Sequence, residues 1–137
     1  MKKALLTLLL AMIAATVITA RDVRSCKVKS TGQLVLLADS IDFRPELTRL
    51  YGRLSGVPHT SGRIDVILIS GSSLKEHLTA TDIDGVDFKR WFQWEDDGII
   101  PVEIDFPKMK PSDVYLIQVE GPKGESQWKL QVGQRRK

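Results

Sequence analysis

The chain has 137 residues, room for one domain of ordinary size and not for two independently folded units. With 42% hydrophobic and 27% charged residues it has the composition of a globular protein, which excludes a disordered chain. The formal charge is +3, a sum that says less about partners than the positions of the charges do.

Met1, Lys2 and Lys3 precede an uncharged stretch, residues 4–20 (ALLTLLLAMIAATVITA). A basic start, an apolar run and a small residue at Ala20, with Ile18 two before it, form the layout of a bacterial secretory signal cut before Arg21. As a helix the apolar run spans about 25 Å against a hydrocarbon core of about 30 Å, so an uncleaved anchor is the alternative. The expected division is a signal peptide over 1–20, a flexible leader over 21–31 and a folded domain over 32–134. The protein is therefore expected to be exported, periplasmic or associated with the cell surface. Cys26 is the single cysteine, so no intrachain disulfide can form. It is a candidate for lipid acylation: Val23 and Ser25 suit such a site, and Arg24 does not. Membrane contact is expected through the N-terminal segment or a lipid on Cys26.

Setting aside Lys2 and Lys3 leaves 18 basic against 17 acidic residues. Arg21 and Arg24 open this remainder, and Arg135, Arg136 and Lys137 close it. The body between is mildly acidic, and it holds no basic run interleaved with aromatics of the kind a nucleic-acid groove requires. Nucleic acid is set aside as a partner.

Beyond Cys26 the chain alternates short apolar segments with Gly, Pro, Asp and Ser, the pattern of many strands. Residues 33–38 (QLVLLA) form a compact strand that Asp39-Ser40 is expected to end. In 46–54 (ELTRLYGRL), Leu50 and Leu54 share one parity, and Leu47, Arg49, Tyr51 and Arg53 the other. Residues 63–70 (RIDVILIS) are nearly continuous in β-branched and apolar residues, which predicts a central strand covered on both faces. Ser73 and Glu76 have capping-box spacing, with Leu74 and Leu78 on one helical face, so a turn or two of helix is expected there. Residues 79–83 suit a short edge strand. Residues 88–95 and 99–106 flank Asp97-Gly98 and read as a hairpin, with Phe88, Phe92 and Trp94 on one parity. Pro101 lacks an amide proton and belongs at a sheet edge or a bulge. Residues 113–120 (DVYLIQVE) and 125–132, where Trp128, Leu130 and Val132 alternate with polar residues, supply the last strands. About seven or eight antiparallel strands without crossover helices predict an all-β sandwich or barrel.

The run FQWEDDGIIPVEIDFPKMKPSDVYLIQVEGPKGESQWKLQV, residues 92–132, resembles the tail half of immunoglobulin-like sandwiches of exported bacterial proteins: a hairpin, a strand ending in Phe-Pro, a loop, and two strands closing on a tryptophan-bearing segment. The resemblance implies an immunoglobulin-like β-sandwich behind an N-terminal signal helix, and a scaffold or accessory role made through contacts.

Chemistry-bearing groupings are sparse. His59, Ser61 and Asp65 contain the residue types of a nucleophilic triad, but two-residue spacing in one turn suits a polar loop better. Zinc is disfavoured by a single cysteine and by His59 and His77 lying far apart. Asp82, Asp84 and Asp87 surround Gly85 in TDIDGVD and are the candidate calcium ligands, although the full EF-hand order is missing. Glu103 and Asp105 share one strand face, as glycosidase carboxylates do, but so short a chain offers little cleft. Trp91 has the opposite parity to Phe92 and is flanked by Lys89 and Arg90; exposed, it can anchor a protein or stack on a sugar. Arg49, Tyr51 and Arg53 form a second candidate stripe. No cofactor is expected. The reading is a non-enzymatic module for protein binding or assembly at the bacterial cell envelope. The alternative is a carbohydrate-binding module using Trp91, assisted by calcium at Asp82, Asp84 and Asp87, and a small hydrolase comes third.

Overall fold

The computed structural model describes residues 21–135, so the expected signal segment lies outside the described residues. Within them the protein is all-β. In chain order the strands are β1 (Asp22–Gly32), β2 (Val35–Phe43), β3 (Leu47–Ser55), β4 (Ser61–Gly62), β5 (Val66–Gly71), β6 (Leu78–Thr79), β7 (Asp82–Asp84), β8 (Phe92–Gln93), β9 (Ile99–Pro107), β10 (Val114–Gly121) and β11 (Gly124–Arg135). Nine of them form one antiparallel sheet in the order β6-β5-β10-β11-β1-β2-β3-β9-β7, and β4 pairs with β8.

The sheet curls back on itself. Its terminal strands, β6 and β7, are separated in the chain by Ala80 and Thr81 alone, so one short segment pairs with β5 on one side and with β9 on the other. The two intervening amides continue the bridging: Ala80 N–H donates to Ile67 at 2.9 Å, and Thr81 N–H donates to Asp105 at 2.7 Å. Curling gives the sheet one inner face, filled by alternate residues of each long strand: Leu50 and Leu54, Ile67 and Ile69, Ile104 and Phe106, Tyr115 and Ile117, Trp128 and Leu130, all buried.

Between β1 and β2 the ladder is incomplete. Residues 22–25 of β1 pair with β2, whereas Arg24 and residues 26–32 pair with β11. Where the ladder stops, side chains take over the backbone groups. Ser30 Oγ accepts from the Leu36 amide, Ser126 Oγ accepts from the Leu34 amide at 2.8 Å, and the Trp128 indole donates to the Leu34 carbonyl at 3.0 Å.

Several expectations need correction. Residues 21–31 are not a flexible leader: nearly all of them belong to β1, because Cys26, Val28 and Ser30 alternate with Lys27, Lys29 and Thr31 in the period of a half-buried strand. Asp39-Ser40 does not end β2. It shifts the register against β3, a bulge, and the strand runs on to Phe43. The helix at Ser73 is absent; that side chain caps no helix and instead bonds across to Lys110 and Ser112 of a neighbouring loop. The strand read over 63–70 is not central: β5 lies next to the closing segment, its Ile67 and Ile69 buried and its Val66 and Leu68 only half-buried.

The hairpin also fails as a ladder. Gly98 makes the expected turn, with φ +67° and its amide bonded to Glu95 at 3.0 Å, but β8 pairs with β4 and β9 runs between β3 and β7. Asp-Gly specifies a turn and not which strands the two arms choose. Pro101 lies beyond the last β7 partner of β9, at a position where a second neighbour is missing, as its lost donor requires.

The sheet has two ends. At the N-terminal end lie Arg21, the turn at 44–46 and the loops 72–77 and 108–113. At the distal end lie the connections 33–34, 56–65, 85–98 and 122–123.

Candidate binding site

The distal end is organised around the crossing of two connections. The Ser61–Gly62 and Phe92–Gln93 strands pair, Ile64 bridges Phe88, and the Lys89 amide donates to the Ile64 carbonyl at 2.8 Å. On the other side Trp94 N–H donates to Thr60 O and His59 N–H to Trp94 O. Phe92 and Trp94 turn inward and meet edge to face, with centroids 5.2 Å apart, and the Trp94 indole donates to the Leu54 carbonyl at 3.2 Å. Gly62 permits this: a β-carbon there would stand 2.8 Å from the Phe92 ring. Lys89 adopts a left-handed backbone, φ +62°, between the half-buried Phe88 and the outward Trp91.

With Phe92 held inward, Trp91 is left 53% exposed. Two cations attend its ring: the Arg63 guanidinium carbon lies 5.9 Å and the Lys123 ammonium 5.7 Å from the ring centroid. Each cation is itself fixed, Lys123 by donating to the Ser61 carbonyl at 2.6 Å and Arg63 by donating to Asp65 at 2.7 Å. Arg90, the other candidate here, is well exposed and sits 3.7 Å from Asp87. The result is an exposed tryptophan on a loop end of the sheet with two cations at its ring, of which Arg63 is paired with Asp65 and Lys123 with no carboxylate among the described residues, an arrangement suited to a partner that presents carboxylates beside an apolar surface.

The second candidate group, Arg49, Tyr51 and Arg53, lies on the outer face of β3 and is separate from Trp91. Its charges are matched within the sheet. Arg49 makes a two-pronged pair with Asp105, at 2.6 and 3.0 Å, and this bond raises its guanidinium pKa well above the ordinary value. The Arg44 guanidinium donates to the Tyr51 hydroxyl at 3.2 Å, and Arg53 pairs with Asp39 at 3.1 Å. A shallow depression of about 350 Å³ adjoins them, lined by Asp39, Tyr51, Arg53, Asp84 and Glu103 among others.

The carboxylates proposed for calcium are dispersed. Asp82 and Asp84 point outward from β7 on either side of buried Ile83, opposite Asp105 and Glu103, whereas Asp87 lies past Gly85 and turns to Arg90. Among the described residues no group of three or more His, Cys, Asp or Glu is placed to hold a metal ion. His59 contacts Asp96 at 2.8 Å and Asp65 contacts Arg63, so those side chains are drawn to other partners than Ser61. Of the Glu103 and Asp105 pair, Asp105 is neutralised by Arg49. Cys26 is buried in the middle of β1, opposite Val132.

Sequence reasoning reached Trp91 through parity but not Arg63 or Lys123. Nothing local links residue 91 to a turn more than thirty positions later; the nearest signal was the Gly121-Pro122-Lys123-Gly124 turn, which holds a lysine at an exposed tip. Comparison with protein-family models, curated proteins and solved structures returned no match.

Proposed function

We propose that the protein is an exported, non-enzymatic module of the bacterial cell envelope that binds a protein partner through Trp91 and its cationic rim. The observation that carries this reading is the half-exposed Trp91 ring with Arg63 and Lys123 each within 6 Å of its centroid. Large aromatics and arginines dominate interface energies, and a ring already positioned by its neighbours loses little freedom on binding. A glycan-binding module is the lesser reading, because the cations at this ring complement carboxylates on a partner and give nothing comparable to a neutral sugar. The finer fold proposal is an immunoglobulin-like sandwich, with β2, β3, β9 and β7 facing β6, β5, β10 and β11 and with β1 shared between the layers.

Export follows from residues 1–20, and the position of β1 bears on where the mature chain starts. A cut after Ala20 leaves β1 whole. Acylation at Cys26 would remove Arg21 together with Asp22 to Ser25, the four residues that supply the ladder to β2, so the reading favours the earlier cut.

The test is capture of partners from an envelope extract by wild-type protein and by Trp91→Ala, with oligosaccharide titrations of tryptophan fluorescence alongside. The reading expects the variant to keep its melting temperature within a few degrees and lose the captured protein, with no oligosaccharide response. A fluorescence response to a glycan that Trp91→Ala abolishes would replace the protein partner with a sugar.

A further inference from the structure

The N-terminal end of the sheet, opposite Trp91, carries a groove that the reading above does not use. It has a volume of about 930 Å³ and lies between the turn at 44–46 and the loops 72–77 and 108–113. Leu74, Leu78 and Met109 form its floor, half-buried and packed against the core. Around them stand Arg44, Lys75, Lys108 and Lys110 against a single carboxylate, Glu76. Arg44 is paired with Asp42, but the three lysines form no ion pair among the described residues. Three unmatched ammonium groups at the rim of an apolar trough make it complementary to one negative charge joined to a hydrocarbon chain.

The walls are fixed before any ligand arrives. The Lys110 carbonyl accepts from Ser73 Oγ and from the Tyr115 hydroxyl, both at 2.8 Å. The Ser112 amide donates to the same tyrosine oxygen, and the Ser73 amide donates to Ser112 Oγ at 2.9 Å. These bonds staple the 72–77 loop to the 108–113 loop. Tyr115 is fully buried, so the staple is anchored in the core. A groove with stapled walls keeps its shape without a ligand and loses little entropy when one binds. Arg21 lies at the same end and pairs with Asp42.

We propose that the groove binds a single-chain anionic amphiphile, its acyl chain lying over Leu74, Leu78 and Met109 and its anionic head held by Lys75, Lys108 and Lys110. This stands on residues remote from Trp91 and survives if the partner reading fails.

Met109 provides a direct reporter. In ¹³C-methyl-methionine spectra of the protein as purified from cells, its signal is identified by its loss in Met109→Leu. Myristate, titrated below its micellar concentration, is expected to shift that signal saturably, and dodecyl maltoside at equal concentration to leave it in place. Lys75→Glu/Lys108→Glu/Lys110→Glu, whose exposed substitutions should leave the melting temperature near wild type, is expected to raise the half-saturating myristate concentration by about tenfold or more. A Met109 signal that myristate leaves unmoved overturns the proposal, whether the groove is empty or filled by another segment or a second copy. Equal shifts with dodecyl maltoside, or undiminished affinity in the charge-reversed variant, overturn it as well.

Discussion

The Lys123 ammonium lies 5.7 Å from the centre of the Trp91 ring while the same nitrogen donates to the Ser61 carbonyl at 2.6 Å. The turn between β10 and β11 is thereby tied to β4, and the half-exposed Trp91 ring lies beside that tie. An exposed cation–π contact contributes about 0.5–1 kcal/mol. Lys123→Met is accordingly expected to lower the melting temperature by only about 2–6 °C. It should also change the emission of Trp91, isolated as the difference between spectra with and without Trp91→Phe. An unchanged difference spectrum would show that the lysine does not attend the ring in solution.

Arg49 and Asp105 join β3 to β9 by two parallel hydrogen bonds, and both side chains are largely withdrawn from solvent. A bidentate, partly shielded pair of this kind is worth more than a surface ion pair, and a coupling energy of about 1–2 kcal/mol is expected from the cycle Arg49→Ala, Asp105→Ala and the double variant. Urea denaturation of the four proteins measures it. Additive losses would mean that the pair contributes nothing beyond its separate side chains.

Asp42 is 1% exposed and receives Arg21 at 2.6 Å and Arg44 at 2.9 Å on one oxygen. Burial pushes its carboxyl pKa up, but the hydrogen bonds and charges of the two arginines outweigh burial and hold it below the ordinary 3.8. A folded-state value below the unfolded one means that the ionised group adds stability at pH above about 4, and that this contribution is lost as pH falls through the folded value. The urea midpoint of the wild type should therefore exceed that of Asp42→Asn at pH 7, with the gap narrowing as pH is lowered below about 4. A gap independent of pH would assign the effect to packing.

Gly56 lies against the buried indole of Trp94, and a β-carbon there would stand 2.4 Å from the ring. Gly56→Ala must displace Trp94 or the 56–60 segment, and a loss of about 1–3 kcal/mol is expected, the usual range for overpacking. Because Trp94 anchors the segment bearing Trp91, the variant should weaken partner capture too. A melting temperature equal to wild type would contradict this packing.

The all-β character and the parity of the long strands were legible because alternation is a local property. Leu50 and Leu54 face in while Arg49, Tyr51 and Arg53 face out, as their spacing requires. What was illegible was pairing. Gly98 makes the turn that Asp97-Gly98 demands, yet Phe92 pairs with Gly62 and not with β9, its ring lying where a β-carbon on Gly62 would stand. Ser73 carried a helix-capping signal and instead spends its hydroxyl on Lys110, a competition decided by a loop distant in sequence. Likewise Trp91 was identified by parity, but its cations come from residues 63 and 123, and the lysine groove assembles from three separate loops.

Site-specific photo-cross-linking in intact cells tests the partner reading most directly. A photoreactive residue is placed at Trp91 or, as a control, at Gln131, which is exposed on β11 and pairs with Val114 toward the opposite end of the sheet. The account predicts a discrete protein adduct from position 91 and none from position 131, with the position-91 adduct reduced by Lys123→Glu. No adduct from position 91, or the same adducts from both positions, would contradict it.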